Sequence, residues 1–572
     1  MSRTEEKGDN VDVIDHVDHA DAPIPASKIL DRSLFSRNEL RILMGAILVN
    51  AICHSFEVNL MYSCIGYVIS VFEVISLGSI LPTILEIMAT ALVPFYAKFS
   101  DVVGRAQALT IAMVFYLLGY SIQGTSKAFL QFALGQISYG IGSTGLLTMM
   151  QILMADTTRL VDRGILFAMW DMPTAVMVFV INPLINPLTI NEGANWRNIY
   201  IIIGVVAGFG AVALLIPLWH LQKKAERVTA SRGQKILRKD IRWLLEEFDA
   251  VGAVLITLGL SLTLLPIIIA KSHEGNWANP KILGMFFSGL IALVLLVFWE
   301  VKYSKKPIMP MRIWTDRTTF GGLAVIFFFT VMNAFNYGYY GIYLVVSRNV
   351  DFAESALLER GYQVVWPIAE LATGLLMKRF NTYRPFIWAG IVIHTIGLGL
   401  QIPARKPDSS ETLVVAAQVI AGGAAGMANV AAIVAITGSV AKADVATVIG
   451  ASRVLNSFGY AFGSALSGGI WTQYLPARLA KHIVGEYDEH KAMNNYLDYI
   501  RDMTVSDPVK KSQLVEAYAD SQMLLLIVAM CIAVPVAVAT FFMRDIDLHK
   551  KDAEEEAERI NAESELPLEA KN

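Results

Sequence analysis

Four carboxylates stand inside stretches that are otherwise apolar: Glu57, Glu86, Asp171 and Glu370. His54, His394 and Arg453 share that setting. An acidic side chain at the middle of a hydrocarbon layer costs about 3 kcal/mol or more, so each needs a reason to be there. One reason is chemical. A carboxyl group out of water favours its neutral form, which lets it take up and release protons near neutral pH. The other is structural, a hydrogen bond or ion pair to a neighbouring helix, for example Asp171 with Arg453. Glu86 and Glu370 fall nearest the middle of their segments, which favours the proton-carrying role for them. His394 is alone on an apolar helix and reads as a satisfied core group. No His/Cys cluster has the spacing of a metal site. There is no G-x-x-x-x-G-K-[ST] loop, which argues against driving by ATP. No catalytic residue and no cofactor are expected.

These residues need apolar elements to hold them. The chain has 572 residues, of which 55% are hydrophobic and 17% charged. Its mean hydropathy is +0.49. Soluble domains carry about 25% charged residues, so the composition predicts a polytopic membrane protein. The net charge of -3 argues against a basic nucleic-acid surface. The three cysteines, Cys53, Cys64 and Cys531, lie in apolar runs and do not form a disulfide framework. Residues 1–38 are polar and acidic, without the build of a removable signal peptide, so the first apolar run is expected to do the targeting.

Apolar runs occur at about 40–63, 77–97, 106–124, 129–153, 163–185, 197–219, 248–270, 282–300, 319–346, 357–378, 385–402, 412–436, 445–470 and 521–543. Each is close to the roughly 20 residues that cross a bilayer as a helix. The expected fold is all-α with about fourteen transmembrane helices. Lys and Arg cluster after the sixth span and again after the eighth and tenth. By the positive-inside rule both termini are cytoplasmic, and 472–520 lies on the outer side. The expected organisation is a cytoplasmic tail at 1–38, a six-helix bundle at 39–220 and a basic loop at 221–247. An extra hairpin follows at 248–318, then a second bundle at 319–543, and a charged tail at 544–572.

The second bundle echoes the first at an offset of about 280 residues. PFYAKFSDVVGR at 94–105 is matched by GLLMKRFNTYRP at 374–385, and GQISYGIGSTG at 135–145 by AQVIAGGAAGM at 417–427. Such a duplication, with an axis along the membrane normal, marks a large class of transporters.

Ala97-Lys-Phe-Ser-Asp101-Val-Val-Gly104-Arg105, between spans two and three, resembles motif A of the major facilitator superfamily, with Ala97 where that motif opens on glycine. The resemblance implies gating roles for Asp101, Gly104 and Arg105. The span-four string Gly135-Gln136-x-x-Tyr139 through Gly145, and Ser467-Gly-x-Ile470-Trp471-Thr472, resemble the fungal siderophore–iron transporters of that superfamily. The departures are local. NVAAIVAIT at 429–437 stands where those carriers have a P-T-Q element, and RDMTVSDPVKK at 501–511 where they have a Tyr-Pro-Trp-Gly-like run.

The resemblance implies a secondary active transporter, a proton-coupled importer of ferric siderophores or related chelates. It is expected to act on a small-molecule solute and protons as a monomer in the lipid bilayer, of the plasma membrane first and of an endosomal or vacuolar membrane as the alternative. A proton-coupled exchanger of a small anion such as glutathione, a haem carrier, and a non-transporting receptor remain alternatives. Glu86, Glu57, Glu370 and Asp171 are the proton-coupling candidates. Gln136, Tyr139, Tyr339, Tyr343, Tyr496 and Tyr518 are the substrate-binding candidates. Helical spacing places Tyr339 and Tyr343 on one face, and the outer segment is expected to cover the mouth partly as helix.

Overall fold

The computed structural model describes residues 24–25, 35–157, 160–189, 195–231, 236–237, 249–272, 275–304, 314–440 and 445–544. The side chain of Asp101 and most of both tails and of the basic loop lie outside the described residues.

Six helices build the first half: α1 (Arg37–Val71), α2 (Ile80–Val103), α3 (Arg105–Gly124), α4 (Phe129–Thr157), α5 (Leu160–Thr189) and α6 (Arg197–Ser231). The extra hairpin is α7 (Ala250–Ile269) and α8 (Pro280–Lys302). The second half runs through α9 (Arg317–Tyr337), α10 (Tyr340–Arg348), α11 (Phe352–Glu359), α12 (Gly361–Phe380), α13 (Arg384–Ala404), α14 (Glu411–Ser439) and α15 (Val445–His482). Two short helices, α16 (Glu489–Asn494) and α17 (Arg501–Ser506), lead into α18 (Pro508–Phe541). Twelve spans among the described residues are long and apolar enough to cross a membrane. The helices α12 and α15, with 20 and 38 residues, have the length but carry more polar side chains. Among the described residues, β-structure is confined to a two-residue parallel pairing of Ile24–Pro25 with Ile236–Leu237.

Local chemistry sets the ends of these helices. Ser36 and Glu39 form a reciprocal capping box at the start of α1. Asp316 caps α9 through Thr319 N at 2.8 Å, and Ser410 caps α14 through Leu413 N at 3.3 Å. Small residues set the closest packing, as expected where lipid offers no hydrophobic drive. A Cβ on Gly119 of α3 would lie 2.7 Å from the Tyr139 Cα of α4. A Cβ on Gly397 of α13 would lie 2.9 Å from the Ala421 Cα of α14. The two contacts occupy corresponding places in the duplicated halves.

The hairpin joins the bundle through α7. Ile256, Leu260, Leu264 and Ile268 pack with Ile87 and Ala91 of α2 and with Ala461 and Ala465 of α15. The other hairpin helix, α8, leaves Ile291, Val294 and Val297 exposed, as a lipid-facing surface requires.

The ninth span, expected as one helix, is broken. Gly338 ends α9, and Tyr339 takes a left-handed conformation (φ 59°) before α10 begins. The break frees backbone carbonyls inside the protein, and side chains from elsewhere take them up. Arg405 donates to the Asn336 carbonyl at 2.5 Å and to Asn336 Oδ1 at 2.7 Å. It also reaches Gln522 Oε1 at 3.1 Å, while Gln522 Nε2 donates to the Gly338 carbonyl at 3.0 Å. The Arg405 guanidinium lies over the Tyr340 ring at 4.5 Å, and Tyr343 OH donates to the Arg405 carbonyl. Tyr339 and Tyr343 therefore belong to different contacts, which corrects the single face drawn from continuous helical spacing.

Removing this buried cation strands Asn336, Gln401 and Gln522 together. Arg405→Leu is expected to destabilise the protein by about 3–5 kcal/mol, read as a lowered Tm of the purified chain in detergent. Arg405→Lys should recover only part of the loss, because an ammonium lacks the planar fork.

Candidate functional site

The two halves enclose a cavity of about 580 Å³, lined from α1, α2, α4, α9, α10, α11 and α15. Its ionisable lining residues are His54, Glu86, Glu359 and Arg453, and Tyr62, Tyr139, Tyr337 and Tyr460 supply aromatic wall. Of the expected carboxylates, Glu86 alone is on this lining. It faces Ser457 across the two halves and lies within electrostatic range of Arg453. Arg453 is accessible, and what it faces is the cavity. With the Gln151 amide turned so that its oxygen meets the guanidinium, that oxygen accepts from Arg453 Nε at 2.8 Å. Asp171, Glu370 and Glu86 surround Arg453 electrostatically without reaching ion-pair distance among the described residues. The direct Asp171–Arg453 pair weighed from sequence is thus replaced by one cation shared among three acids. Glu370 turns away from the cavity and accepts from Asn429 Nδ2 at 2.8 Å.

Glu57 is fully buried in the first half. Its Oε1 accepts from Tyr116 OH and, at 3.4 Å, from Tyr139 OH, and lies 3.4 Å from His54 Nδ1. Its Oε2 has no partner. His54 stacks on Trp170 at 5.8 Å and lines the cavity, so Glu57 communicates with the cavity through His54 and Tyr139. Gln136 also lines it and accepts from Gln123 Nε2 at 2.6 Å.

Of the tyrosines expected to meet substrate, Tyr139 and Tyr339 line the cavity. Tyr339 donates to the Ser76 carbonyl at 2.7 Å and stacks flat on Trp471 at 4.6 Å. Tyr343, Tyr496 and Tyr518 are buried in packing instead. Tyr518 donates to the Ala492 carbonyl at 2.9 Å. Tyr496 packs edge-on to Phe352, and burial pushes its phenol pKa above the ordinary value.

At the outer end, taking the Lys/Arg-rich end as cytoplasmic, the halves are bolted together. Tyr62 OH donates to Glu359 Oε1 at 2.7 Å. Arg360 donates to Asn59 Oδ1 at 2.8 Å and to Ser63 Oγ at 3.0 Å, with its guanidinium 4.4 Å from the Tyr62 ring centre. The segment after α15 adds a second layer. Ser76 Oγ donates to Asn494 Oδ1 at 2.6 Å, Asn495 Nδ2 to Glu73 Oε1 at 2.8 Å, and Tyr496 N to Ser70 Oγ at 3.1 Å. Glu359 and Arg360 were not singled out from the sequence. Their one signal was an acid and a base side by side at the start of an apolar span.

At the inner end Gly104 takes φ 111° between α2 and α3. An added Cβ would collide with Gln107 Oε1 and would meet Gln222 Nε2 at 2.6 Å. Arg105 donates to Ser100 Oγ, and Ala106 N donates to Gln222 Oε1 at 2.8 Å. The described contacts of this loop tie α2, α3 and α6 together within the first half.

Loosening the outer bolt should expose buried α1. Cys64 is a native thiol, fully buried beside this network. In a Cys53→Ser/Cys531→Ser background, Glu359→Gln with Arg360→Gln is expected to raise outside labelling of Cys64 by an impermeant maleimide at least fivefold. Unchanged labelling would mean that these bonds do not hold the outer side shut.

Comparison with known proteins fits this geometry. The description of the Major Facilitator Superfamily matches residues 46–347. The siderophore iron transporter mirC of Emericella nidulans is 27% identical over 96% of this chain and 90% of its own length. The siderophore iron transporter ARN1 of Saccharomyces cerevisiae is 25% identical over 88% of this chain and 82% of its own. Among solved structures, an inward-facing bacterial homologue of the human lysosomal transporter Spinster has a TM-score of 0.56 at 13% identity, covering 89% of this chain and 98% of that one. A peptide transporter, POT, has a TM-score of 0.56 at 12% identity, covering 91% of this chain and 100% of its own. Two matched helical halves, a cavity between them and a family match over more than half of the sequence lead to one assignment: the chain belongs to the Major Facilitator Superfamily.

Proposed function

We propose that this chain is a proton-coupled importer of ferric siderophores or closely related iron chelates, working by alternating access as a monomer. The observation that carries the proposal is the cavity itself: about 580 Å³, walled by tyrosines, with one guanidinium amid acids. That volume is in the range of sites for organic molecules of several hundred daltons. A chelate carries its own iron ligands, so the carrier needs aromatic surface and a few polar anchors. The described residues hold no group of three His, Cys, Asp or Glu fit for a metal ion. The names of the relatives mirC and ARN1 support the same solute class.

The steps follow from where the charges sit. With the outer bolt open, an incoming chelate meets Arg453, Gln136 and Tyr139. Glu86, on the same lining, accepts a proton from the outer side, which removes one negative charge near Arg453. The neutral acid lowers the cost of closing the loaded cavity into a low-dielectric interior. Closure remakes the Tyr62–Glu359 and Arg360–Asn59 bonds. The loop at Asp101, Gly104 and Arg105 governs the inner opening, and proton loss from Glu86 on that side restores the anion. Glu57, through His54 and Tyr139, is the second route for the proton. The bundles at 39–220 and 319–543 are the moving units.

Uptake of a labelled ferric trihydroxamate into cells lacking their own carriers tests the solute, with glutathione and haem as rival solutes. Glu86→Gln mimics the protonated acid. It is expected to retain exchange of bound chelate within about twofold of the parent, and to lose accumulation under an imposed pH gradient. A Glu86→Gln chain that concentrates the chelate as the parent does would move coupling to Glu57 or Glu370.

A further inference from the structure

A second cavity of about 240 Å³ lies inside the second half, among α9, α12, α14 and α15. Tyr62, Tyr337, Asn456 and Tyr460 line both cavities, so the smaller one opens off the wall of the larger. The chemistry of the two differs. The large cavity has acids, a guanidinium and an imidazole on its lining, whereas the small one has no ionisable group other than tyrosine.

What the small cavity offers is flat apolar surface with amides set into it. Tyr362 and Trp366 form one wall, with rings 5.6 Å apart, and Phe329 another. Four carboxamides line it: Asn333, Gln363, Asn429 and Asn456. Each uses one end within the protein. Asn333 Oδ1 accepts from Tyr362 OH at 3.1 Å, and Gln363 Oε1 accepts from Arg360. Asn429 Nδ2 donates to Glu370 at 2.8 Å, and Asn456 Nδ2 donates to Thr330 Oγ1 at 3.0 Å. Two amide nitrogens, on Asn333 and Gln363, and two amide oxygens, on Asn429 and Asn456, are left over for a ligand. Two donors and two acceptors in an aromatic, uncharged recess match a group that itself has N–H and C=O and no charge. Placing a charged group there would leave it without a counter-ion.

We infer that this recess, resting on the chelate reading above, is a specificity subsite that takes an uncharged, amide-linked acyl or aromatic arm of the solute, while the iron-bearing centre stays beside Arg453. The arm's N–H meets Asn429 or Asn456 oxygen, its C=O meets Asn333 or Gln363 nitrogen, and its apolar end packs on Trp366. Gln363 also accepts from Arg360, so an occupied recess touches the network that bolts the outer side shut.

Two ferric trihydroxamates with the same iron centre separate this subsite from the main cavity. One carries acetyl arms, and the other carries bulky amide-linked aromatic acyl arms. Val325 lines the recess and is absent from the lining of the large cavity, so Val325→Phe fills one and spares the other. The expected result is a rise of tenfold or more in KM for the long-armed chelate, with uptake of the acetyl chelate within twofold of the parent. Trp366→Ala, which cannot overfill the site, should weaken the long-armed chelate alone by at least fivefold. Equal effects on both chelates, or none on either, would overturn the subsite.

Binding of an uncharged N-benzoyl dipeptide amide to the purified full-length protein is the independent reading. Saturable binding that Val325→Phe removes upholds the recess as a site for neutral amides. If the parent also moves neither chelate, the chelate reading fails and the recess stands. Absence of binding, in a parent that transports both chelates equally well, overturns the recess alone.

Discussion

The hydrogen bonds of Glu359 and Arg360 to α1 are the interaction on which the rest of the architecture turns. A neighbouring acid and base from the second half reach Tyr62, Asn59 and Ser63 in the first. Inside a membrane protein neither charge can be left without a partner. The two halves therefore stay joined at the outer side until something replaces these bonds. The cavity beneath is shut off at that end as a consequence, and the outer segment adds Asn494, Asn495 and Tyr496 as a second layer over the same seam. Because the bonds are polar and few, they can be broken and remade, as a carrier requires.

Below the seam, charge is arranged by scarcity. Arg453 is shared among Glu86, Asp171 and Glu370, and none of these acids pairs with it at contact distance. Its described hydrogen-bond partner is the neutral Gln151 amide, so its charge is not taken up by an ion pair. A tight ion pair would spend it on the protein itself. Neutralising one acid would shift the balance around the guanidinium, and in the proposed cycle that is how a proton and a solute are linked through one residue. Arg405 shows the contrasting use of the same residue type. Its two terminal nitrogens are taken up by carbonyls and amides from Asn336, Gln401 and Gln522, and it holds a broken helix in place.

Much of the fold was legible in the chain. Apolar runs of the right length, Lys/Arg clusters and the echo between PFYAKFSDVVGR and GLLMKRFNTYRP point to the helical architecture, because span length and charge placement are fixed by the bilayer. Glu86, Gln136, Tyr139 and Tyr339 were singled out and line the cavity. The rest was hidden for physical reasons. Glu359, Arg360 and Arg405 sit at helix ends, where charges are ordinarily solvated, and only the assembled halves reveal that they are buried. The break at Gly338–Tyr339 was equally opaque, since a left-handed tyrosine is rare and local propensity reads the segment as one helix. That single break moved Tyr343 from the cavity wall to the Arg405 carbonyl. Tyr496 and Tyr518 looked like ligand contacts on an outer loop, but the loop folds back and uses them as its own core.

The central claim is that solute and proton cross together through the cavity between the halves. The purified chain in proteoliposomes, with a pH-sensitive dye trapped inside and no imposed gradient, tests this directly. Adding a ferric trihydroxamate outside is predicted to acidify the lumen in step with chelate entry, and Glu86→Gln is predicted to abolish the acidification. Chelate entry with no change in lumenal pH would contradict the account.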